Sequence, residues 1–197
     1  LGAAVVTAWL PRGRWRLKRV AAVVWLAVMN TPLLATLGLA LSVASSANAD
    51  SHVYFGTYTN GAGKGIYRAR LETVSGRLSE LQLAVEARDP AFLAVHPNGK
   101  FLYAIDERSD PKRDSTPAGI SAYALDPTSG RLTLLNRQSA GASGPCHLAV
   151  DHTGRAVLVA NYAGGGAAAL PIRADGSVGE PASVVPHAGR SVNPARQ

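Results

Sequence analysis

The chain after residue 50 is predicted to be an all-β protein of the β-propeller class. An internal repeat, regularly spaced turn signals and the lack of any long helical period support this prediction. Segment 89–107 aligns without gaps on segment 144–162, and segment 65–78 aligns on segment 119–132. A repeat of about 40–50 residues built from short strands and turns is typical of propeller blades.

Each repeat unit contains about four strand-like runs separated by turns. Runs such as F-L-Y-A-I, A-V-L-V-A and G-I-Y-R-A-R-L are short and rich in β-branched or aromatic residues. The tetrapeptides P-N-G-K, T-S-G-R and A-D-G-S supply turns. G-A-G-K-G at 61–65 resembles a phosphate loop, but it lacks G-K-[ST] before a helix, and we interpret it as a hairpin turn.

Residues 1–49 are predicted to be a secretory signal peptide. A basic cluster at 12–19 precedes an apolar stretch at 20–44, and Ala47-Asn48-Ala49 forms an A-x-A cleavage pattern. This order predicts an exported, periplasmic or secreted protein that meets the membrane only through this segment. A retained membrane anchor is the alternative, because the apolar stretch exceeds the about 7–15 residues that are usual.

The charge of the chain does not indicate a nucleic-acid partner. The net charge is +7, but the residues after 49 carry 15 basic against 13 acidic side chains. The basic excess therefore lies mainly in the predicted signal peptide and not in a clustered folded surface.

Residues 50–197 are predicted to be a partial propeller domain. They hold about three repeat units, the third being a weaker copy at 168–178, whereas closed propellers have about 4–8 blades. We therefore expect the chain to be the N-terminal part of a longer protein that is monomeric when complete. The part alone is expected to be inactive.

Several motifs in order resemble the lactonase family of β-propellers, whose type member is the propeller form of 6-phosphogluconolactonase. They are Y-F-G-T-Y-T, G-I-Y-R-A-R-L, P-A-F-L-A-V-H-P-N-G-K-F-L-Y-A, G-P-C-H-L-A-V-D, V-A-N-Y-A-G-G and S-V-N-P-A-R-Q, within residues 52–197. The resemblance implies a seven-bladed propeller with an active site near its central channel. It also implies a hydrolase for 6-phosphogluconolactone, another sugar lactone or a muconate-type lactone. An exported binding or scaffold propeller without catalysis remains the alternative.

The single cysteine, Cys146, lies beside His147, but successive side chains of a strand point to opposite faces. We therefore expect no Cys–His dyad, and we predict that Cys146 is a small buried residue. The repeat places His147 where the preceding unit has Phe92. The family motif G-P-C-H favours a channel-facing catalytic role for His147, and a hydrogen-bonded histidine packed between blades is the alternative.

Glu107 is a second candidate base, although it could equally be a solvated loop carboxylate. Asn161 and Tyr162 end the corresponding strand of the next unit and are predicted to bind sugar hydroxyls. In S-V-N-P-A-R-Q, Arg196 is predicted to grip an anion or stabilise the oxyanion of lactone opening. Asn193 and Gln197 in the same motif are assigned to substrate binding.

The predicted mechanism is attack by a water molecule that His147 or Glu107 activates as a general base. The chain has no G-x-S-x-G elbow, which argues against an α/β-hydrolase serine mechanism. No H-E-x-x-H motif or paired cysteine spacing is present, so we predict no catalytic transition metal and no cofactor. A scattered oxygen-ligand site for Ca²⁺ or Mg²⁺ remains open.

Overall fold

The structure, a computed structural model, describes the backbone of residues 5–8 and residues 51–107, 118–189 and 192. These residues form three four-stranded antiparallel sheets and no helix, which confirms the all-β prediction. The strands in chain order are β1 Val5–Ala8, β2 Ser51–Gly56, β3 Gly65–Leu71, β4 Gln82–Glu86, β5 Pro90–Val95, β6 Phe101–Asp106, β7 Gly119–Leu125, β8 Leu132–Ser139, β9 Pro145–Val150, β10 Ala156–Asn161, β11 Gly166–Pro171 and β12 Ser183–Pro186.

Each sheet is a meander, and we call the three sheets blades one (β1–β4), two (β5–β8) and three (β9–β12). The edge strand β5 contacts both β1 and β9, so these three strands are the inner strands of adjacent blades. Four-stranded meanders that pack side by side in this way are the blades of a β-propeller.

The inner strand of blade one lies within the segment predicted to be the signal peptide. It pairs with β2 in a register that runs from Val5↔Gly56 to Ala8↔Val53. The rest of the predicted signal peptide lies outside the described residues.

Two apolar clusters fill the spaces between the blades, and each fully buried aliphatic or aromatic side chain contributes about 1.5–3 kcal/mol. The larger members between blades one and two are Tyr54, Ile66, Leu93, Leu102 and Tyr123. Those between blades two and three are Tyr103, Ile105, Ile120, Leu148, Val157 and Leu170.

Turns at one end of the blades hold neighbouring blades together. The hydroxyl of Tyr54 donates to the carbonyl of Gly130 at 2.9 Å, and Tyr103 makes the equivalent bond to Gly176 at 3.0 Å one blade further on. Both glycines have positive φ, +68° and +85°. A Cβ at Gly130 would lie 2.6 Å from Nδ1 of His52, so the close approach of the blades also requires glycine. These turns confirm the T-S-G-R and A-D-G-S predictions.

Blade three packs on blade two through one face of its sheet. The opposite face, which we call its outer face, carries no packing partner within the described residues. Leu158 is 48% exposed there and lies in an apolar groove of about 390 Å³. The repeat aligns the groove positions with residues of blade two that pack against blade three. The pairs are His147 with Phe92, Ala149 with Ala94, Leu158 with Tyr103, and Ala160 with Ile105. This face therefore has the residue pattern of a blade-to-blade interface.

Candidate functional site

The predicted site residues that the structure describes lie at the end of the blades opposite these turns. In blade two, Asp106 at the end of β6 pairs with Pro90 at the start of β5. In blade three, Asn161 at the end of β10 pairs with Pro145 at the start of β9. The connections entering the inner strands and the loops after the second strands therefore meet at this end, which we call the loop end.

His147 lies on the inner strand of blade three, near the loop end. Its side chain is exposed, and its ring centroid is 4.1 Å from that of Phe92 on the inner strand of blade two. The ring also lines the apolar groove on the outer face of blade three. The structure thus places the imidazole beside the inner strands, against an aromatic ring and on the face of blade three that has the residue pattern of a blade-to-blade interface.

The prediction that Cys146 is buried is wrong. The residue is exposed, and its thiol lies 3.5 Å from the carbonyl of Ala160. The pairing of β9 with β10 shifts there, from Ala160↔His147 to Asn161↔Pro145, so Cys146 has no paired residue opposite it. A β-bulge of this kind interrupts the regular alternation of side chains, which the repeat alignment does not register.

Glu107 is half-buried just after β6, and its carboxylate accepts a 2.5 Å hydrogen bond from the hydroxyl of Tyr58. Tyr58 belongs to the loop between β2 and β3 of blade one. The neighbouring residue Thr59 donates to Oδ1 of Asp89 through its amide at 2.7 Å and its hydroxyl at 3.1 Å. Glu107 is therefore not a freely solvated loop carboxylate, because it helps to fix the blade-one loop against blade two.

Asn161 and Tyr162 have opposite environments. Asn161 is 2% exposed, and its amide donates to the carbonyl of Ala140 at 3.0 Å. The side chain of Asn161 is buried and fixes the segment that leads into β9, and its predicted binding of sugar hydroxyls stays a prediction. Tyr162 is 86% exposed and is free to contact a ligand at the loop end.

Arg196, Asn193 and Gln197 lie outside the described residues. Their predicted roles therefore stay predictions. Within the described ranges, no group of three metal-ligating side chains comes together. No helix in this part of the chain has the length and apolarity to cross a membrane.

A buried carboxyl group at the loop end, that of Asp106, was given no role of its own by sequence reasoning. Asp106 is 2% exposed, and its Oδ2 accepts a 2.7 Å hydrogen bond from the hydroxyl of Ser121. The guanidinium Nε of Arg137 lies 3.6 Å from the same oxygen. Burial raises the pKa of Asp106 to about 6, although the Ser121 bond and the charge of Arg137 pull the pKa down. The one available signal was the repeat, which aligns Asp106 with the buried Asn161.

The four-stranded blades, the inner strands and the loop-end side chains define the class of protein as a β-propeller. The model of the family described as Lactonase, 7-bladed beta-propeller, matches residues 52–197. The chain belongs to this family.

Known proteins resemble the chain along much of its length. The 6-phosphogluconolactonase of Bacillus subtilis (strain 168) is 39% identical over 137 residues, which cover 70% of this chain and 38% of that protein. A solved structure from Bacteroides uniformis ATCC 8492 is 31% identical with a TM-score of 0.67, and the match covers 76% of this chain and 41% of that chain. The solved structure of the periplasmic gluconolactonase of Pseudomonas aeruginosa is 30% identical with a TM-score of 0.63, and the match covers 71% of this chain and 39% of that chain. The chain thus spans about two fifths of the length of these relatives.

Proposed function

We propose that the complete protein containing this chain hydrolyses a sugar lactone at the loop end of its propeller. The observation that carries this proposal is the position of His147 near the loop end of an inner strand, in a chain of the lactonase family whose Bacillus relative is named 6-phosphogluconolactonase. A propeller fold alone does not define a reaction, so the proposal depends on the side chains of this site.

The proposed chemistry is addition of water to the lactone carbonyl. His147 or Glu107 takes a proton from the water as its oxygen bonds to the carbonyl carbon, and the carbonyl oxygen becomes an oxyanion. Arg196 supplies a planar cation to stabilise that oxyanion. Collapse of the tetrahedral intermediate breaks the ring C–O bond, and the released alkoxide takes up a proton to give a hydroxy acid.

His147 fits the role of the base better than Glu107. The Glu107 carboxylate is half-buried and is already engaged, because it accepts the Tyr58 hydroxyl at 2.5 Å. Phe92 covers one side of the imidazole ring at 4.1 Å and restricts its orientation. Such positioning matters because a base must lie within hydrogen-bond reach of the attacking water.

The proposed substrate is an aldonolactone, with or without a phosphate group. The Bacillus relative is named for a phosphorylated lactone, and the Pseudomonas relative is named a periplasmic gluconolactonase. The second name agrees with the predicted export signal, so export and an unphosphorylated lactone form one consistent proposal, in which cleavage before Asp50 removes β1 and the mature blade one begins at β2.

The test is the rate of lactone opening by the complete protein. Gluconolactone and its 6-phosphate are incubated with the protein, and acid release is compared with the spontaneous rate in the same buffer. We expect clear acceleration for at least one lactone. Saturable lactone binding without acceleration would refute hydrolysis and favour a binding propeller.

A further inference from the structure

The polar cleft between blades one and two at the loop end has chemistry that lactone hydrolysis does not use. It has a volume of about 630 Å³. Its walls come from the β2–β3 loop, from the segment that joins β4 to β5, and from the end of β8. The lining residues are Thr59, Gly61, Gly63, Lys64, Glu86, Ala87, Arg88 and Arg137. None of them lines the groove that contains His147.

Positive charge dominates this cleft. Lys64, Arg88 and Arg137 line it, and Glu86 is the one carboxylate among the described lining residues. Arg137 also lies 3.6 Å from the carboxylate of Asp106, so the three cations face two carboxylates and leave an excess of positive charge that favours an anion. A volume of this size also leaves room for a small molecule attached to such a group.

Arg137 is held in position from below the cleft. Its Nε donates to the hydroxyl oxygen of Ser121 at 3.2 Å, and that hydroxyl donates to Oδ2 of Asp106 at 2.7 Å. Asp106 is 2% exposed, so the relay is anchored in the interior of blade two. A guanidinium carries further N–H donors on its two Nη atoms, arranged as a fork that suits oxyanions. Fixing one edge of the fork in advance lowers the entropy lost on binding.

The opposite wall is also fixed, and its backbone is accessible. The β2–β3 loop is tied to blade two by the bonds from Thr59 to Asp89 and from Tyr58 to Glu107. Gly61 has open space where a side chain would begin, so a ligand can approach the chain closely there. This loop is the G-A-G-K segment, which is a hairpin turn as predicted and places Lys64 in the cleft.

The geometry points to this cleft as a binding site for the phosphate group of a small phosphorylated compound, separate from the lactone site at His147. An anionic phosphate complements the excess positive charge, and Arg137 can contact two of its oxygens. Lys64 then adds a second, point-like charge from the loop. The inference does not depend on lactone hydrolysis, because a propeller without catalysis would still bind phosphate here.

The test measures how inorganic phosphate stabilises the full chain. Melting temperatures are recorded as phosphate replaces chloride at constant ionic strength, since a ligand that binds only the native state stabilises it by RT ln(1 + [L]/Kd). We expect a rise that follows this logarithm, and an apparent phosphate affinity at least about 10-fold weaker in Arg137→Ala and Lys64→Ala. Arg131→Ala is the matched control, because it removes the same charge at the other end of β8.

Additional variants distinguish two-point hydrogen bonding by the guanidinium of Arg137 from general electrostatic attraction. Arg137→Lys keeps the charge but loses the planar fork, so we expect it to bind phosphate nearly as weakly as Arg137→Ala. Retained affinity in Arg137→Lys, equal losses in Arg137→Ala and Arg131→Ala, or no rise of the wild-type melting temperature with phosphate would each overturn the inference. If Arg137→Ala does not fold, Lys64→Ala, an exposed loop variant, still decides the result. Acetate competing as well as phosphate would overturn the assignment to a phosphate group.

The source of the phosphate group is distinguished by the lactone assay. If Arg137→Ala raises KM for the phosphorylated lactone alone, the cleft holds the phosphate of the substrate, which contradicts a separate site. If KM is unchanged for both lactones while phosphate binding is lost, a separate phosphorylated ligand is supported. His147→Gln should leave phosphate binding unchanged, so that failure of hydrolysis and failure of the cleft are told apart.

Discussion

Replacing Asp106 by asparagine tests the electrostatics of the loop end. Asp106 is 2% exposed, and its Oδ1 has no hydrogen-bond partner among the described residues. Burial raises its pKa from 3.8 to about 6. An amide is nearly the same size and can still accept the Ser121 hydroxyl, and Asn161 occupies the aligned position in blade three. The change therefore removes the charge without removing the shape.

The sign of the effect follows from proton linkage. Between about pH 4 and 6 the folded wild type holds a proton that the unfolded chain releases, so its free energy of unfolding falls as pH rises. The loss is complete above the folded-state pKa. A shift of about two pKa units corresponds to about 3 kcal/mol. This shift is the net result of burial, which raises the pKa, and of Ser121 and Arg137, which lower it. Asp106→Asn does not titrate and should avoid this loss.

The assay is urea unfolding of wild type and Asp106→Asn at several values between about pH 4 and 8. We expect the stability of the variant relative to wild type to increase by about 3 kcal/mol across this range. Glu80→Gln, at an exposed position, is the control and should show little change. A difference that stays constant with pH, or one that moves against the variant as pH rises, would refute the proposed burial of an ionised carboxylate.

Two further predictions concern the turns that join the blades. Tyr103→Phe removes the buried hydrogen bond to the β11–β12 turn and should lower the free energy of unfolding by about 1–2 kcal/mol, whereas Tyr162→Phe, at an exposed position, should change it little in the same urea titration. Gly130→Ala and Gly76→Ala both place alanine at positive φ, +68° and +73°, but only Gly130 has another blade within 4 Å. Gly130→Ala should therefore be the less stable by about 1–3 kcal/mol, and equal melting temperatures would contradict the described contact between blades.

The repeat made much of the fold predictable. Because segments 89–107 and 144–162 align without gaps, the strands and turns of one blade predict those of the next. The same alignment identified His147 as the counterpart of Phe92, and the two rings prove to be in contact. Local patterns worked here because strands and tight turns depend mainly on nearby residues.

The environment of individual side chains was less predictable. The bulge in β9 exposes Cys146, and the connection before β9 captures the amide of Asn161, although both residues lie in a well-aligned repeat. The cleft joins Lys64 to Arg137, which are far apart in sequence and belong to different blades. No local sequence pattern predicts that Lys64 and Arg137 line one cleft, because they meet only when two blades pack and their loops converge.

The most direct test of the proposed function is kcat/KM for lactone opening by the complete protein carrying His147→Gln. His152→Gln is the matched control, since His152 is exposed in the β9–β10 turn at the opposite end of blade three. Loss of a general base reduces rates by about 10²–10⁴-fold, so we expect a decrease of this size for His147→Gln and none for His152→Gln. Wild-type kcat/KM in His147→Gln would contradict the assignment of His147 as the catalytic base.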